Sequence, residues 1–218
     1  MNDSSGPSDA LSAVSTWTYL FAQVRAQLRP AAVGLVTLTL LTGCIFPLVL
    51  FGLGLWLFPD QAAGSLVTSH GVIVGSRLIG QNFTRPEYFQ PRSSAAGDGY
   101  DATRSGGTNF GPFNPQLIEA VRQSGRDYRK RNGLPPDVPI PIDAVTSSGS
   151  GLDPHISPQN AALQVRRVAN ARGVSENVVR HLVIEYTQGR QLGFIGAPCV
   201  SVLALNLALD QTAPLKHR

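Results

Sequence analysis

Ser150, Asp153 and His155 are the residue types of a hydrolytic triad, and all three lie in the short run Ser147-Ser148-Gly149-Ser150-Gly151-Leu152-Asp153-Pro154-His155. Their spacing argues against that chemistry. A nucleophile elbow needs G-x-S-x-G between a strand and a helix, and Ser148 stands where the first glycine belongs. Triad partners are also brought together by the fold, and seldom sit this close in the chain. Two other readings remain. The backbone amides of Ser147 to Gly151 could form a nest for an anion, although the G-x-x-x-x-G-K-[ST] phosphate loop is absent. Asp153 and His155 could ligate a metal, but no second spaced pair of ligands accompanies them. A turn leading into the next helix is the default, so no residue receives a catalytic or metal-binding role.

Two further clusters suit recognition better than reaction. Tyr88 and Phe89, with Arg92 nearby, are types common at interface hot spots; they fit equally well as core aromatics beneath a loop. Ser105-Gly106-Gly107-Thr108-Asn109 is small and polar, and Gly107 would let a partner's backbone approach where a Cβ would block it. The net charge of +4 owes much to Arg122, Arg126, Arg129, Lys130 and Arg131. Only Tyr128 is interleaved there as a stacking residue, so nucleic acid is a poor partner. A solvated helix face, or a contact with lipid headgroups or a protein, is expected instead.

These residues need elements to hold them. Short β-like runs, Ser65 to Val67 and Val72 to Val74, flank a turn at Ser69-His70-Gly71. Residues 80 to 115 form a stretch rich in Gly, Pro, Ser and Asn that is too long for an ordinary connector. Asn114 caps a helix that opens with Pro115 and stops near Asn132, before Gly133. A proline-rich link leads to the Thr146 to Pro154 loop. Ser157 then caps a helix opened by Pro158 and closed by Gly173; Ser175 starts another that reaches about Thr187. Val200 to Leu209 reads as a short strand leading into an apolar helix. Residues 60 to 218 therefore form a single soluble α+β domain.

Ahead of that domain, Ala31 to Phe58 contains no Asp, Glu, Lys, Arg or His. A bilayer core of about 30 Å takes roughly 20 apolar residues in a helix, so residues 30 to 59 are read as one transmembrane helix. A buried core helix seldom runs this long without a polar face. A cleaved signal peptide has a shorter apolar region, although Ala62, Ala63 and Gly64 could mimic its cleavage site. Pro47 should kink the span, and Thr39 and Gly43 form a small-residue face that could admit another helix. Residues 1 to 29 comprise a tail, disordered over residues 1 to 15, and a Trp17 to Leu28 stretch with helical periodicity. The latter either lies on the membrane interface or extends the membrane helix. Arg25 and Arg29 precede the span and the first basic residue after it is Arg77, which places the N-terminus in the cytoplasm and residues 60 to 218 outside. Cys44 falls in mid-membrane and Cys199 near the C-terminus, so a disulfide between them is not expected.

In order along the chain stand Gly75-Ser76-Arg77-Leu78-Ile79-Gly80-Gln81-Asn82-Phe83, Tyr88-Phe89 with Arg92 and Ser94, Gly106-Gly107-Thr108-Asn109, and Asn114-Pro115. The block from Ser148 to Pro158 follows, then Gln164, Arg167-Val168-Ala169, Ala171-Arg172, Leu192-Gly193 and Leu205-Asn206-Leu207-Ala208-Leu209-Asp210. Over about residues 30 to 210 this series resembles the C subunit of the Kdp potassium-transporting ATPase. Arg166 departs from the family's usual proline, and Cys199 and Ser201 stand where it has arginine and asparagine.

The resemblance implies an accessory, non-catalytic chain in the bacterial inner (plasma) membrane, single-pass, within a high-affinity potassium uptake complex. Its partners there are a potassium-channel-like subunit and a P-type ATPase subunit, besides membrane lipid. The family's C subunit is described as needed for assembly and as a catalytic chaperone that raises the ATP affinity of the ATPase subunit. No cofactor is intrinsic to the chain; ATP enters through the ATPase subunit. An exported domain cannot meet cytoplasmic ATP, so assembly and an effect near the outer ion entrance are favoured. The competing readings are a membrane-anchored exported hydrolase using Ser150, Asp153 and His155, and a solute-binding module built around Tyr88.

Overall fold

The computed structural model describes residues 7–215, with side chains from Thr18 onward, in two compact units divided between Ala63 and Gly64. The first unit is helical. Helix α1 (Pro7–Leu40) continues through Pro30, so the Trp17 to Leu28 stretch is an extension of the long apolar helix. Of the tail read as disordered, residues 1–6 lie outside the described residues, and from Pro7 the backbone is helix, not coil. The chain offers no stop signal there except Pro30, and one proline inside a long apolar helix is tolerated.

A π turn, Leu41–Ile45, joins α1 to α2 (Phe46–Leu57). Its mark is a bond from Phe46 N–H to Leu41 O, five residues back. Pro47 explains it: a proline ring collides with the carbonyl four residues earlier, and an extra residue in the turn makes room. The kink expected at Pro47 thus takes the form of a π turn just before it. Thr18–Leu57 is long and apolar enough to cross a membrane, and none of it is buried within its own fold. Pro59 then opens the short α3 (Pro59–Ala62).

The second unit opens with an antiparallel hairpin of β1 (Leu66–Ser69) and β2 (Val72–Ser76). Positive φ at both His70 and Gly71 gives the tight turn that strand twist favours. The long 80–115 stretch follows, then α4 (Pro115–Asn132). Asn114 Oδ1 accepts from Gln116 N–H at 2.8 Å, and Gly133 closes the helix in the left-handed conformation. A 3-10 turn (Ile142–Ala144) and β3 (His155–Ile156) lead to α5 (Pro158–Arg172), capped by Ser157 Oγ on Asn160 N–H. Helix α6 (Glu176–Glu185), β4 (Thr187–Gln188), β5 (Cys199–Ser201) and α7 (Val202–Thr212) complete the chain.

Strands β3, β5 and β4 form a small antiparallel sheet in that order. β3 and β4 have two residues each, too short for alternation to announce them. The core gathers Val165, Val168, Val179, Leu182, Val200, Leu205 and Leu209 from α5, α6, α7 and β5, with Ile156 of β3 and Phe89 of the long stretch. This α+β unit positions everything that follows.

Candidate functional site

The 80–115 stretch has no helix and almost no strand of its own, so its polar backbone must find partners elsewhere. Five consecutive carbonyls find them on the helices. Arg167 Nη1 donates to Pro86 O and Tyr88 O, at 2.6 and 3.0 Å. Arg172 Nε donates to Glu87 O at 2.7 Å. Asn206 Nδ2 reaches Phe89 O at 2.9 Å, and Gln164 Nε2 reaches Gln90 O at 3.0 Å. The two amides also accept in return: Asn206 Oδ1 from Phe89 N–H and Gln164 Oε1 from Gln90 N–H, both at 2.8 Å. Each carboxamide therefore pairs with a peptide unit as a neighbouring strand would.

The clamp lies in the interior. Phe89 is fully buried, and Gln164 and Asn206 are each 1% exposed. Arg167 gives its other nitrogens to Asn132 Oδ1 (2.8 Å) and Gln164 Oε1 (2.7 Å), so its buried charge is surrounded by acceptors. Burial, then the nearby Arg131 charge, pulls its guanidinium down to about 10, which leaves it protonated at neutral pH. Arg172 joins Asp210 at 2.8 Å, donates to Leu209 O and Ala213 O, and lies 4.9 Å from the centre of the Tyr88 ring. Tyr88 OH donates to the same Asp210.

A second contact ties the long stretch to the Ser148–Pro154 loop. Gly80 N–H donates to Leu152 O, Ser94 Oγ to Gly151 O, and both Gly106 N–H and Ser105 Oγ to Ser150 O. Arg92 Nη1 pairs with Asp153 Oδ2 at 3.0 Å, and Tyr100 OH donates to Arg92 O. Gly151 has φ +69°, and a Cβ there would stand 2.7 Å from Ala96 N and from Gly106 O. Gly107 packs closely too: a Cβ would come 3.0 Å from Gly149 O.

The chemical groups singled out in the sequence are therefore mostly engaged in holding the fold. Ser150 Oγ accepts from Leu152 N–H and faces Ser148 Oγ, while His155 and Asp153 bond one another. Burial alone would raise the Asp153 carboxyl; hydrogen bonds from His155 and the Arg92 guanidinium outweigh it and hold the group below the usual carboxylate range. The carbonyls of Ser150, Gly151 and Leu152 all serve the long stretch. Among the described residues no group of three or more metal-ligand side chains occurs. In the basic run, Arg129 and Arg131 turn to Val138 O and Gln90 Oε1, and Arg122 and Arg126 face Glu119. Asn109 is exposed at φ +52°; Thr39, Gly43 and Pro47 lie on the membrane-length helix around its π turn.

Arg172, Asn160, Asp143 and Asn206 were not singled out as site residues, yet they complete the network. Asp143 accepts from Ser157 N–H, Ser157 Oγ and Asn160 Nδ2, and Asn160 accepts from Tyr128 OH. One signal was legible. Asn206 is the lone polar residue between Val202 and Leu209, and a polar group in such a run must find a buried partner.

The fold and the clamp together define a small α+β domain that follows a membrane-length helix and presents a long, internally braced loop. Residues 28–211 match the family described as KdpC: K+-transporting ATPase, c chain. The chain is 52% identical to the potassium-transporting ATPase KdpC subunit of Beijerinckia indica over 190 residues, covering 87% of this chain and 96% of that one. It is 51% identical over 188 residues to the KdpC subunit of Mycobacterium bovis, covering 86% and 100%. The subunit from Kineococcus radiotolerans is 52% identical over 190 residues, covering 86% and 96%. The chain belongs to the KdpC family.

Proposed function

We propose that this chain is the accessory subunit of an ATP-driven potassium pump in a bacterial plasma membrane. It promotes assembly with a channel-like subunit and a P-type ATPase subunit and catalyses no step itself. The observation that carries this reading is the fate of the polar residues. Buried polar side chains fix residues 86–90, and half-buried or exposed ones hold the Ser148–Pro154 loop, which suits a rigid docking surface. Positive charge at Arg25 and Arg29 supports a cytoplasmic N-terminus with the domain outside. From there the domain acts at the outer ion entrance, and any rise in the ATP affinity of the partner is transmitted through the complex.

Deleting the chain is expected to abolish growth at limiting potassium, and supplying it in trans to restore growth. Topology is tested separately by Phe113→Cys, at a side chain that is 91% exposed. Burial, aided by the Asp153 charge, raises the Cys199 thiol and slows its labelling. An impermeant maleimide should therefore label Phe113→Cys in intact cells far faster than the unmodified chain. Labelling confined to inside-out vesicles overturns the orientation and makes direct contact with ATP tenable.

A further inference from the structure

Thr42 lies within the membrane-length helix, and its backbone carbonyl receives no N–H from that helix. In an α-helix the donor is four residues on; in a π turn it is five. The group four on, Phe46 N–H, goes to Leu41 O. The residue five on is Pro47, which has no N–H. The Thr42 hydroxyl is turned to Leu38 O at 2.7 Å and gives no cover. Among the described residues no side-chain hydrogen bond reaches this carbonyl. In hydrocarbon, where water is absent, an acceptor in that state needs a donor from outside.

We propose that the Thr42 carbonyl accepts a hydrogen bond from a hydroxyl, amide or indole donor on a membrane helix of a different subunit, which crosses at the π turn. The inference rests on the assignment to a multi-subunit pump. Approach is open there: Gly43 has no side chain, and the nearest atom to a Cβ built on it is Thr39 Cγ2 at 4.0 Å. A second copy of this chain is a poorer donor. Between Ala31 and Phe58 it has no Asn, Gln or Ser, its indole at Trp56 lies 14 residues beyond Thr42, about 21 Å along the helix of a parallel copy, and threonine hydroxyls in helices bond their own carbonyls, as Thr42 does. The relatives' description as one lettered chain of an ATPase supplies a different subunit instead.

The test uses the whole complex in native membranes. A photoreactive benzoylphenylalanine replacing Thr42 is expected to cross-link to another subunit. Pro47→Ala supplies the missing N–H, so the helix serves its own carbonyl. Retention of the partner subunits through detergent washing should then fall by about 3-fold to about 18-fold. Gly43→Leu, which blocks close approach and leaves the backbone bonds alone, should lower retention as well. Pro30→Ala, the same exchange elsewhere in the helix, should leave it within about twofold. The inference is overturned by cross-linking to lipid only or to a second copy, or by Pro47→Ala and Gly43→Leu complexes as robust as wild type. A wild-type chain that purifies without partners would instead overturn the pump assignment itself.

Discussion

Asn206→Leu removes one of the two amides that pair with the 86–90 backbone, with little change in side-chain volume. The Phe89 N–H and C=O, at 2.8 and 2.9 Å from the amide, then have no partner, and Phe89 is fully buried. Each buried polar group left unmade costs about 1–3 kcal/mol, and the apolar replacement recovers about 1–2 kcal/mol. Taken at the middle of each range, the two groups cost about 4 kcal/mol and the replacement returns about 1.5 kcal/mol, so a net loss of about 2–3 kcal/mol is expected, a large share of a typical domain's 5–15 kcal/mol. It should act first on the clamp itself. Hydrogen exchange of the full-length chain in detergent, read on peptides covering residues 86–90, should speed up by about 30-fold to about 140-fold. Asn177→Leu, at an exposed position on α6, is the control and should stay within about threefold. Exchange in Asn206→Leu within threefold of wild type would refute the claim that the amide holds this backbone in place.

Two further outcomes follow from the Ser148–Pro154 loop. Gly151→Ala adds a Cβ against backbone atoms at positive φ and should lower stability by at least about 2 kcal/mol in urea unfolding of the full chain; Gly149→Ala, with open space around it, should change it by less than about 0.5 kcal/mol. Asp153→Asn should cost about 1–3 kcal/mol at pH 7 by weakening its bonds with Arg92 and His155. The folded-state carboxyl titrates below its unfolded value of about 3.9, so this contribution is complete above about pH 5 and disappears as acid protonates the folded carboxyl. A gap between wild type and Asp153→Asn that persists unchanged well below pH 3 would contradict that assignment.

Elements whose signals are local could be read from the residues themselves. Asn114-Pro115 and Gly133 bracket α4, and Ser157-Pro158 and Gly173 bracket α5, because caps and helix stops depend on neighbours in sequence. The membrane-length helix was legible from uncharged length alone. Pro30 misled because a proline is a boundary only when the chain has a better alternative, and here the helix continues through it. The π turn at Leu41–Ile45 had a visible cause in Pro47 but no sequence signature of its own. The clamp was hidden for a different reason. Gln164 lies 74 positions from Gln90, and Asn206 lies 117 from Phe89, so only the folded chain brings them together. Tyr88 and Phe89 divided between two roles: Phe89 fills the core, while Tyr88 sits half-buried under Arg172.

The central claim is that this chain works as one subunit of a potassium-transporting ATPase. Affinity purification of the tagged, full-length chain from membranes of potassium-limited cells tests it most directly. The tagged chain should co-elute with a P-type ATPase subunit and a channel-like subunit, together with potassium-stimulated ATP hydrolysis that is lost when the chain is deleted. A chain that elutes alone, from membranes whose potassium-stimulated hydrolysis is unchanged by its deletion, would contradict the account.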